Sequence, residues 1–67
     1  MDEEKLNLSL RKFLKQVGVT SQREIEKAVR AADEQGELPP GGLKVSVQLD
    51  CPQLGMSHEI EGRLETD

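Results

Sequence analysis

The stretch VGVTSQREIEKAVRAA, residues 17–32, decides how many helices this chain has, and so which fold it can adopt. Gly18 suits a left-handed C-terminal stop, because a residue without Cβ enters that conformation at no steric cost. Ser21, followed three residues later by Glu24, has the spacing of a capping box, in which each side chain satisfies a free backbone N–H at a helix start. Together they predict one helix ending near Val17 and another beginning at Gln22. Two helices across so short a glycine-containing turn form a helix-turn-helix-like pair.

Upstream, Leu6, Leu10, Phe13, Leu14 and Val17 fall on one stripe of a 3.6-residue repeat. The first helix is predicted over about 3–17. Asp2, Glu3 and Glu4 oppose the positive end of its dipole, and Lys15 lies near the negative end. Leu8 sits off the stripe, on a flank where it can touch a partner. Downstream, Ile25, Ala28, Val29 and Ala32 make a narrower stripe that predicts a second helix over about 22–35, closed by Gly36. Ala28 and Ala32 imply a close approach of two backbones. Opposite them lie Arg23, Lys27 and Arg30, so this helix reads as half core and half basic.

The segment ELPPGG, within a linker predicted at 36–42, cannot continue a helix. Beyond it the period changes to two. Leu43, Val45, Val47 and Leu49 alternate with Lys44, Ser46, Gln48 and Asp50; Met56, Ile60 and Leu64 share a parity opposite to Glu59, Glu61, Arg63 and Glu65. Strands are expected at about 43–50 and 56–65, joined through DCPQLG into an antiparallel hairpin. Charge favours a register with Lys44 opposite Glu61, or a tighter one opposite Glu59, over one that faces Lys44 with Arg63. The predicted architecture is α-α-β-β, an α+β layer of the helix pair and the hairpin in a single small domain, 1–67.

With 67 residues, one Phe and no Trp or Tyr, the core is thin. A two-stranded sheet with two open edges is marginal alone, so a homodimer is expected. The lone Cys51 excludes an intramolecular disulfide and suits a reducing cytoplasm. The opening MDEEK lacks the basic and apolar regions of a secretory signal, and no apolar run approaches the roughly 20 residues of a membrane helix. A soluble cytoplasmic protein is expected.

Charge is segregated within a net −4. Residues 5–30 carry seven basic side chains (Lys5, Arg11, Lys12, Lys15, Arg23, Lys27, Arg30) and two acids; residues 31–67 carry two basic and eight acidic ones. Such a map fits charge matching between chain segments as well as a polyanion partner. Gln22, Arg23, Lys27 and Arg30 are the candidate contact residues, of the types that reach base edges and phosphates from a recognition helix. Glu24 and Glu26 on the same helix, and an acidic hairpin where a wing should grip phosphate, weigh against nucleic acid. His58 has no second histidine beside it in sequence, and Cys51 is a lone thiol on a turn, so no metal-ligand spacing exists. Glu59, Glu61 and Glu65 read as a solvated strand face. No catalytic, metal or cofactor residue and no small-molecule substrate is predicted.

The runs RKFLKQVGVTSQREIEKAVRAA and LGMSHEIEGRLE resemble the shared core and terminal strand of a family of short, uncharacterised bacterial proteins. The resemblance spans most of the chain apart from the ELPPGG linker. It implies a stand-alone cytoplasmic protein and brings no activity or functional residue with it. A shorter likeness, of GVTSQREIEKAV, is to helix-turn-helix turns. The expected function is a non-enzymatic protein-interaction module; the alternative is a minimal winged-helix-like nucleic-acid binder using the basic face of the second helix.

Overall fold

Residues 1–66 are described by the computed structural model; Asp67, counted in the single-domain reading, lies outside the described residues. A single 32-residue helix, α1 (Glu3–Glu34), occupies the stretch read as two helices. The helix-turn-helix-like pair is absent. Gly18 takes no left-handed φ, and its cost of about 1 kcal/mol relative to Ala is small beside the propagation of helix on both sides. The Thr20 hydroxyl donates to the Gln16 carbonyl at 2.8 Å, a bond made within helical backbone. Glu24 reaches forward to Lys27 at 3.3 Å rather than back to Ser21, so the capping box is not made. Gln22 donates to Glu26 at 3.0 Å one turn on, bracing the helix just past the supposed elbow.

Phase is the deeper reason. Leu6, Leu10, Leu14, Val17, Ser21, Ile25, Ala28 and Ala32 follow one another at steps of four and three with no slip at Gly18. The first five of these positions recur 11 residues on, a spacing that keeps the stripe nearly parallel to a straight helix. A turn would have broken that continuity.

The helix ends are made by named groups. The Asp2 carboxylate accepts from the Lys5 N–H at 3.2 Å, and Glu3 and Glu4 fill the first turn. At the other end Gly36 adopts φ +69°; its N–H reaches the Asp33 carbonyl at 3.1 Å, while Glu37 N–H reaches Ala32 at 2.8 Å. This pair of bonds is a Schellman stop.

The hairpin pairs β1 (Leu43–Cys51) with β2 (Met56–Leu64) across a single 3-10 turn at Pro52–Leu54. Its register differs from the expected one: Lys44 faces Arg63, not Glu61 or Glu59. Pro52 starting the turn and left-handed Gly55 ending it, with Gly55 N–H on the Pro52 carbonyl at 3.1 Å, fix Cys51 opposite Met56. That register pairs Leu43 with Leu64, Val47 with Ile60 and Cys51 with Met56, three apolar pairs against two (Val45–Ile60 and Leu49–Met56) in the charge-matched alternative. The Arg63 guanidinium donates to the Gly41 carbonyl at 2.8 Å. Gly42 lies where nothing larger fits: φ is +91°, and a Cβ would meet the Leu64 carbonyl oxygen at 2.6 Å.

The molecule spans 52 × 20 × 17 Å. The helix alone accounts for about 48 Å. A nine-residue strand of about 30 Å fits neither short dimension, so the hairpin, whose end lies beside Ile25 and Val29, runs back along α1. The two meet at that end. Val17, Ser21, Ile25, Val29 and Ala32 are half-buried on α1, as are Leu38, Leu43, Val45 and Leu64 beyond it. Among the described residues no side chain is fully buried.

Candidate interaction surface

An unbroken helix places its side chains by angle alone, at about 100° per residue. Lys5, Lys12, Arg23, Lys27 and Arg30 therefore lie within about 60° of one another, on the side away from the apolar stripe. The structure thus brings the predicted Arg23, Lys27 and Arg30 onto one exposed edge and extends that edge toward the N-terminus. Gln22 is not part of it. It sits about 100° round from Arg23 and lines an open groove with Gly18, Ile25, Glu26, Val29 and Arg30 on one side and Leu64, Glu65 and Thr66 on the other. The groove holds about 480 Å³.

Sequence left open whether the basic edge is used up by the acidic hairpin. Among the described residues no ion pair joins α1 to the hairpin; Lys27 pairs with Glu24 of its own helix, both largely in solvent. On the hairpin's polar face Ser57 donates to Asp50 at 2.8 Å, and Gln48 donates to both at 3.3 Å. Glu59, Glu61 and Arg63 stand exposed beside that small network.

The apolar faces are the more conspicuous surface, and residue-by-residue reading missed them because it treated both as core. Leu6, Leu10, Phe13 and Leu14 remain 45–51% exposed along the N-terminal half of α1. On the hairpin, Val47, Met56 and Ile60 share one face and remain 41–55% exposed. The signal that could have found them is the 11-residue recurrence: a stripe running the full helix length is longer than one small hairpin covers. Leu8, the flank residue proposed for contact, is exposed between Glu4 and Arg11.

His58 is exposed opposite Leu49, and Cys51 is half-buried opposite Met56. Among the described residues no group of three His, Cys, Asp or Glu side chains could hold a metal ion. No described helix is long and apolar enough to cross a membrane.

Neither the curated proteins nor the solved structures contain a significant match to this chain. A family match is found, and it includes the proline–glycine linker that the expected resemblance left out. Residues 1–67 match throughout, and the chain belongs to DUF6494, a family of unknown function.

Proposed function

We propose that this protein is a non-enzymatic protein-interaction module of the cytoplasm whose folded state is completed by a second copy of itself. One observation carries the reading: the amount of surface left open. The chain exposes 6169 Å². A compact monomer of 7.4 kDa would expose about 4,200 Å². The excess of about 2,000 Å² lies within what each chain of an obligate dimer buries, and the surface left open includes the apolar faces of α1 and the hairpin. The single cysteine agrees with a reducing compartment. Sedimentation equilibrium is the direct test. A mass of two chains at micromolar concentration is expected; a folded monomer at several hundred micromolar would overturn the reading.

The basic edge supports a second reading, a polyanion-binding surface. Its winged-helix form lapses with the single helix, but Lys5, Lys12, Arg23, Lys27 and Arg30 still line about 38 Å of one helix side. Random duplex DNA is the probe. If this edge binds phosphate, affinity falls with salt on a log–log slope of about −3 to −4. Absence of binding at 20–50 mM salt, roughly the low end where such contacts are strongest, ends it.

A further inference from the structure

Resting on the homodimer reading, we propose that the two copies exchange cover: the N-terminal half of each α1 lies on the hairpin face of the other. Among the described residues α1 meets the hairpin at the open end of the hairpin, where Leu64 lies beside Ile25 and Val29. Two apolar patches are left over, and they sit on different elements. One is Leu6, Leu10, Phe13 and Leu14; the other is Val47, Met56 and Ile60. The patches match in length, since Leu6 to Leu14 span about 12 Å along a helix and Val47 to Cys51, the positions facing Ile60 and Met56, about 13 Å along a strand.

Pairing the two helix patches with each other would leave both hairpin faces in water. A two-stranded sheet with a bare apolar face is marginal. Reciprocal exchange about a two-fold axis covers all four patches with one repeated contact, which is how a closed dimer is built. Charge permits it. The basic edge of α1 and the acidic strand face of the hairpin point away from these patches, so no charged row is buried. The polar groups the contact takes in are Glu3 on the helix stripe and His58, between Met56 and Ile60 on the apolar strand face. Exchanged in this way, the two copies leave the basic edges and the acidic strand faces on the outside.

The test uses the unaltered chain first. Mixed samples of isotope-labelled and unlabelled protein, analysed by filtered nuclear Overhauser spectroscopy, report contacts between copies alone. The Phe13 ring of one copy should show contacts to the methyl groups of Val47 and Ile60 of the other. Phe13-to-Leu10 or Phe13-to-Phe13 contacts between copies, without hairpin contacts, would overturn the exchange. So would hairpin contacts found only within a copy. A second measurement uses two chains, both carrying Cys51→Ser, one with Leu10→Cys and the other with Ile60→Cys. Oxidation of the mixture should give the mixed disulfide at least several-fold above either self-linked product. A self-linked Leu10→Cys excess overturns the exchange but keeps the dimer. A single-chain mass in sedimentation overturns the dimer itself, so the two failures are distinguishable.

Discussion

Lys44 stands directly across the ladder from Arg63, a like-charge pair that local electrostatics alone would avoid. Both side chains are exposed, where such a pair costs only a few tenths of a kcal/mol, about what a single extra apolar cross-strand contact returns. The Pro52 turn and Gly55 then decide the matter, because slipping the ladder would break a turn whose backbone is set. The sign of one substitution reports this register. Lys44→Glu is expected to raise stability by about 0.2–1 kcal/mol, since it converts repulsion into attraction with Arg63. Were Glu61 opposite, the same change would lower it; thermal unfolding of the two proteins separates the cases. Alternation showed which residues share a hairpin face. It could not choose among registers that keep the same parity, and charge was the weaker of the remaining signals.

At the scale of the element, α1 illustrates how local stop and start signals yield to long-range phase. Gly18, Ser21 and Glu24 each have the right identity for a break, and each is absorbed into helix. Gly18 has open space around the position of a Cβ and a helical backbone. Gly18→Ala is therefore expected to stabilise the protein by about 0.5–1 kcal/mol. In a left-handed turn the same change would destabilise by at least as much. Far-ultraviolet circular dichroism through a melt gives the answer. The alternation of the strands and the breaker quality of ELPPGG were legible because each is short and self-contained. The unity of the helix was not, because it depends on whether two stripes 11 residues apart are in register, which no single window shows. The candidate contacts fared similarly: Arg23, Lys27 and Arg30 were visible as a spacing, while Lys5 and Lys12 join them only when no turn intervenes.

At the scale of the molecule, the radius of gyration is 16.0 Å, against about 11 Å for a compact chain of this length. Small size and scarce aromatic residues foretold a thin core; they did not foretell that helix and hairpin would leave so much apolar surface open. If a second copy closes that surface, folding and association are one equilibrium. A hundredfold rise in concentration is then expected to lift the thermal midpoint by on the order of 10 °C. A midpoint independent of concentration would mean that the single chain is stable on its own.

The absence of any fully buried side chain among the described residues has a calorimetric consequence. The heat-capacity step on unfolding arises chiefly from hydration of apolar surface that was dry in the native state, about 12–15 cal/mol/K per residue for ordinary globular proteins. A lone chain of this shape has less dry surface to wet than a compact one, so its step would fall below that range and its stability curve would be flatter. A step of ordinary size would locate the dry surface between molecules rather than within one.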